Sequence, residues 1–162
     1  DTYTVKLEAA KLSGYQTMLL TIVREPNYVA HIDVWIEKLS RICDIKIKQS
    51  MTNSKSTHSI DFRVIGKNAV LGELEFSESL APELGVLVIV TGDSQGEADE
   101  IAMLINPYLL HLPLSEDEPI PTTAFAYSPA NSSRGAFFEF ALNHIMKLDK
   151  PCDGFPLIID EV

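Results

Sequence analysis

The chain has 162 residues, 46% of them hydrophobic, and carries 13 Lys and Arg against 23 Asp and Glu, a formal net charge of -10. A chain of this length buries roughly 70% of the surface its unfolded form exposes, enough for one domain without a disulfide or metal staple. The acidic excess opposes phosphate neutralisation, which excludes nucleic acid and anionic membrane as partners, and no apolar run approaches the roughly 20 residues that span a bilayer.

Tyr3, Val5, Leu7 and Ala9 alternate with Thr4, Lys6 and Glu8, a period of two that predicts a strand over residues 3–12. Ser13-Gly14 separates it from residues 15–24, where Met18, Leu19, Leu20, Ile22 and Val23 predict a central strand covered on both sides. Pro26 suits the first turn of a helix, and Val29, Ile32, Ile36, Leu39 and Cys43 place one apolar stripe on a helix over residues 26–43. Tyr28 and Trp35 flank that stripe, as the edge of an interface or the boundary of the core. Residues 49–58 form a polar loop.

Strand patterns resume at residues 59–65, 70–76 and 85–91, and the first two meet at a Gly66-Lys67-Asn68 turn in which Asn68 supplies a positive φ. Ser94 with Glu97 forms a capping-box signature, and Ala98, Ile101, Ala102, Ile105 and Leu109 give the second helix its buried stripe. Pro107 predicts a kink or restart near Asn106. The acidic, Pro-rich residues 113–123 read as a solvated loop, followed by a short run around residues 125–127, a turn, and a final strand over residues 136–148.

The elements spell βαββαβ with extra strands at residues 3–12 and 70–76. This predicts a single α+β domain with a ferredoxin-like core, a mainly antiparallel sheet and two helices on one face. Residues such as Met18, Leu20 and those of the 85–91 run are apolar beyond what one helical layer covers. The second sheet face therefore calls for a partner domain, a second copy or the chain's own loops, and an oligomer is expected.

The chemistry-bearing residues form no high-specificity motif. Glu73 and Glu75 stand two apart on a predicted strand and share a face, a spacing open to a metal or substrate but more often a solvated face. Lys67 and Asn68 belong first to the turn. No two of His31, His58, His111 and His144 have metal-ligand spacing, and no cofactor motif is present. His144 alternates onto the face of Phe138, Phe140 and Leu142, which reads as a core histidine, the alternative being a site residue below an apolar pocket. Cys43 and Cys152 form no C-x-x-C and read as reduced thiols of a cytoplasmic protein. Gly92 to Gly96 precedes a helix but lacks a phosphate-loop pattern, so capping explains it.

Taken in order, VKLEAAKLSGYQTM (5–18), FRVIGKNAVLGELE (62–75), ELGVLVIV (83–90), YSPANSSRG (127–135), FFEFALNHIMKLD (137–149) and DGFP (153–156) resemble the C-terminal part of the acyclic terpene utilisation family. That family more often carries Gly at the position of Ala9 and Arg at that of Gln16. The resemblance implies a C-terminal fragment of a longer protein, linked to breakdown of acyclic isoprenoid or acyl compounds, with its N-terminal region or a second copy as partner. The expected role is a non-catalytic assembly or accessory domain. The alternative is an enzyme or ligand-binding module for an acyl or terpenoid small molecule, with a candidate polar site of Lys67, Asn68, Glu73, Glu75 and His144. Lys6, Glu8 and Asn143 are further polar positions in the matching phrases.

Overall fold

A single long strand, β1 (Tyr3–Val23), organises the computed structural model, which describes residues 3–51, 57–77, 79, 81–151 and 153–155. After it come α1 (Pro26–Ala30), α2 (Ile32–Ser50), β2 (Ser59–Ile65), β3 (Leu84–Gly92), α3 (Gln95–His111), β4 (Thr123–Phe125) and β5 (Ser132–Leu148). The architecture is α+β, with a five-stranded sheet in the order β2-β3-β1-β4 and β5 also paired to β1. The β1–β3, β2–β3 and β1–β4 pairs are all antiparallel. The chain divides into two compact units, Gly14–Phe137 and the pair of segments Asp1–Ser13 and Phe138–Val162.

Register explains the core of the larger unit. Thr17, Leu19, Thr21 and Val23 of β1 lie opposite Val90, Val88, Val86 and Leu84 of β3, and all eight are buried. Val64 of β2, opposite Val86, extends the same face. Trp35, Leu39, Cys43 and Ile47 of α2 and Ala98, Ile101, Ile105 and Leu109 of α3 join those strand residues in one apolar cluster, so both helices cover one side of the sheet. The other side carries Met18, Leu20, Ile22 and Leu87 half-buried and Ile89 buried.

Several boundaries differ from the sequence reading for physical reasons. The two N-terminal strands are one, because Gly14 adopts φ 138° and lets the chain pass without a turn; a Cβ there would lie 2.8 Å from the Gly92 carbonyl oxygen. The first helix is split at His31 (φ -116°, ψ 30°) and runs on to Ser50, because Ile47 continues the buried stripe past Cys43. Among the described residues three α-helices therefore stand where two were expected. Pro107 lies inside a continuous α3, although Pro has no N–H to donate to the carbonyl of Met103.

Residues 70–76 are not a strand. The Val64 carbonyl accepts N–H groups of Lys67, Asn68 and Ala69 at 3.1–3.2 Å, and the chain coils into a short 3-10 turn at Gly72–Leu74. Glu75 then accepts the N–H of Phe76 at 3.0 Å and of Ser77 at 2.9 Å, spending on a local turn the donors a ladder would need. Positive φ falls on Gly66 (92°) and Gly72 (57°), not on Asn68.

Tyr28 and Trp35 are both fully buried core residues, in T-shaped contact at 6.1 Å. They also fasten the acidic loop: Trp35 Nε1 donates to Leu112 O at 2.9 Å, Tyr28 Oη donates to Pro119 O at 2.6 Å, and the N–H of Leu114 donates to Tyr28 Oη at 2.9 Å. Burial, above all, raises the Tyr28 phenol, partly offset by that Leu114 bond.

Leu19→Ala should cost about 2–5 kcal/mol in denaturant unfolding, as expected for a cavity under a fully buried Leu. Gly14→Ala should destabilise, since a Cβ meets backbone at positive φ, whereas Gly96→Ala, with open space around it in the first turn of α3, should stabilise by about 0.4–1 kcal/mol.

Candidate functional site

The densest polar cluster lies where the middle of β1, the first turns of α3 and the start of β5 meet. The capping box sets α3: Ser94 Oγ accepts the N–H of Glu97 at 3.2 Å and Glu97 Oε2 accepts that of Asp93 at 2.8 Å. Gln95 and Asp99, four apart, then share the helix face opposite Thr17. Asp99 Oδ1 accepts from Thr17 Oγ1 at 2.5 Å, Ser133 Oγ at 2.8 Å and Gln95 Nε2 at 3.0 Å. Gln95 Nε2 also lies 2.8 Å from Thr17 Oγ1 and 3.2 Å from Gln16 O, and its Oε1 accepts the N–H of Gly135 at 2.9 Å. Asn106 Nδ2 donates to Asn131 Oδ1 at 2.9 Å, a second tie from α3 to the segment before β5.

Burial alone would push the Asp99 carboxyl up, but the hydrogen bonds from Thr17, Ser133 and Gln95 outweigh it and hold the group below the usual carboxylate range. An ionised acceptor with three donors is a strong joint, and it is a poor general base, because a depressed pKa leaves little proton affinity. Thr17 is fully buried and its proton is committed to Asp99, so its hydroxyl is not presented as a nucleophile. The sequence reading missed this cluster. Its only signal is the Gln95–Asp99 spacing after the cap, together with a Thr in the middle of an apolar strand.

The expected site residues have other engagements. Lys67 Nζ forms an ion pair with Asp33 of α2. Asn68 accepts the N–H of Gly72 at 2.8 Å through its backbone oxygen and lines a groove with Asp61 and Arg63. Glu73 is exposed on the 3-10 turn, and Glu75 caps the backbone of Phe76 and Ser77. These four share the connection between β2 and β3, but no hydrogen bond joins any two of their side chains among the described residues. His144 belongs to the other unit and is exposed on β5, beside exposed Phe138, Phe140 and Leu142, so it is not a core histidine: that half of the strand has no apolar layer over it among the described residues. Asn143 is exposed, and Lys6 pairs with Glu8 at 2.5 Å on the surface.

On the sheet face away from the helices, a groove of about 380 Å³ is lined by Gln16, Met18, Asp61, Arg63, Ile89 and Phe137, among others. The Arg63 Nε lies 2.7 Å from Asp61 Oδ2, so the groove's cation is already paired. Among the described residues no three His, Cys, Asp or Glu side chains gather as metal ligands, and no helix is long and apolar enough to cross a membrane. The Cys43 thiol is pushed up to about 12 by burial and then by Asp44, which keeps it protonated and inert.

Asp99→Ala should cost about 1–3 kcal/mol, the loss of hydrogen bonds to a charged acceptor. Because the folded carboxyl titrates below its unfolded value of about 3.9, its contribution is present above that pH and lost as pH falls through the folded value. Asp99→Asn should therefore flatten the acid limb of a stability–pH curve below about pH 4. In a Cys152→Ser background, Cys43 should resist a thiol reagent at pH 8 until the protein is unfolded. Comparison with models of known protein families, with curated proteins and with solved structures finds no match to this chain.

Proposed function

We propose that this chain is a non-catalytic assembly domain of a larger cytoplasmic protein resembling the acyclic terpene utilisation family, built on a ferredoxin-like frame. The observation that carries the reading is the fate of the polar groups. Asp99, Lys67 and Glu75 are engaged in local bonds, and Glu73 is exposed with no side-chain partner among the described residues. Cooperating catalytic groups need hydrogen-bond reach of one another, roughly 3 Å. Apolar side chains are left open instead: Phe138 is 58% and Phe140 76% exposed. The strand order β2-β3-β1-β4 with antiparallel neighbours supports the ferredoxin-like frame, and such frames serve many functions, so the site rather than the frame decides.

Alanine at Lys67, Glu73, Glu75 or His144 should leave stability within about 1 kcal/mol of wild type, as for surface substitutions and exposed ion pairs. Thermal unfolding with long-chain acyl-CoA or an acyclic terpenoid acid should show no rise in midpoint. A midpoint that climbs with ligand concentration, and does so less in Arg63→Ala, would instead establish the ligand-binding alternative at the open-face groove.

A further inference from the structure

The smaller unit contains the first half of β1 and the second half of β5, and Ser13 Oγ donates to Glu139 Oε2 within it at 2.7 Å. Two-stranded ribbons of this kind are marginal in water without an apolar layer or further strands. Here that layer is missing among the described residues: Phe138, Phe140 and Leu142 are exposed on one face, and Ile145, 63% exposed, on the other. Among the described residues β5 has β1 as its one strand partner, and no second strand takes up the N–H and C=O groups of its other edge.

The sequence of β5 says what completes that edge. Strand partners in an antiparallel ladder share a face, so two copies of β5 keep their apolar residues together only when even-numbered positions meet even-numbered ones. Among such registers, the one centred on Asn143 sets Glu139 opposite the partner's Lys147, and Lys147 opposite the partner's Glu139. It also sets Phe140 against the partner's Met146 and Phe138 against the partner's Leu148. Centring on residue 144 would oppose Glu139 with the partner's Asp149, and centring on residue 142 would oppose it with the partner's Ile145.

We infer that two copies of this chain pair antiparallel along the second edge of β5, about a twofold axis through Asn143, joining their ribbons into one four-stranded sheet. The inference rests on the assembly reading and names its partner as a second copy.

Sedimentation equilibrium of the full chain tests it. Wild type should be a concentration-dependent dimer. Glu139→Lys and Lys147→Glu each replace two opposite-charge pairs with two like-charge pairs and should weaken association about tenfold or more. The double variant restores both pairs and should recover wild-type affinity. Asn143→Lys, which sets two cations on the axis, should weaken association as the single reversals do and serves if one of those fails to fold. A monomeric wild type, single reversals that associate like wild type, or a double variant no better than the singles would overturn the pairing. A monomer that also ignores acyl and terpenoid ligands overturns only the pairing, whereas ligand-dependent stabilisation overturns the assembly reading itself.

Discussion

The antiparallel ladder between β1 and β3 is the constraint on which the rest of the larger unit depends. Because Leu19 faces Val88 and Val23 faces Leu84, one register decision puts every inward residue of both strands under the helices. A slip of one residue would turn Met18, Leu20 and Ile22 inward and present Thr17 and Thr21 to solvent. Gly92 fixes one end of this ladder opposite Tyr15, with Gly14 packed against the Gly92 carbonyl, and β2 and β4 attach to a pair already in place.

Polar chemistry in this unit serves the same ladder. Thr17 is a buried hydroxyl in the middle of an apolar strand, and a buried hydroxyl needs a partner. Asp99 supplies it, and by collecting Ser133 and Gln95 as well it ties α3 to the start of β5. At the other end, Tyr28 and Lys38 take up carbonyls of the acidic loop and Trp35 that of Leu112 just before it, Lys38 Nζ meeting Pro113 O at 2.8 Å. These polar side chains are thus fastenings between elements of the larger unit.

Class, core and helical stripes were legible in the sequence, since periodicity reports burial directly: the Ile32-Leu39-Cys43 spacing became core, as did Val86, Val88 and Val90 of the apolar run at residues 85–91. What periodicity could not report was competition between local bonds and a ladder. FRVIGKNAVLGELE alternates well enough to pass for two strands, yet the carbonyls of Asn68, Leu71 and Gly72 and the Glu75 carboxylate capture the N–H groups of Gly72, Leu74, Glu75 and Phe76 that a second strand would have offered. The Asp99 cluster was illegible for another reason. Its members come from three elements, residues 16–17, 95–99 and 133–135, and only the folded sheet brings them together. His144 was misread because alternation identifies a face without saying whether anything covers it.

The placement of charge along β5 also bears on how an open strand edge stays out of fibrils. In parallel, in-register stacking every residue lies on its own copy, so Glu139 would sit on Glu139 and Lys147 on Lys147 through the whole stack. Only a reversed neighbour matches the two charges, and a reversed neighbour uses up the edge it binds, so growth stops at the first addition.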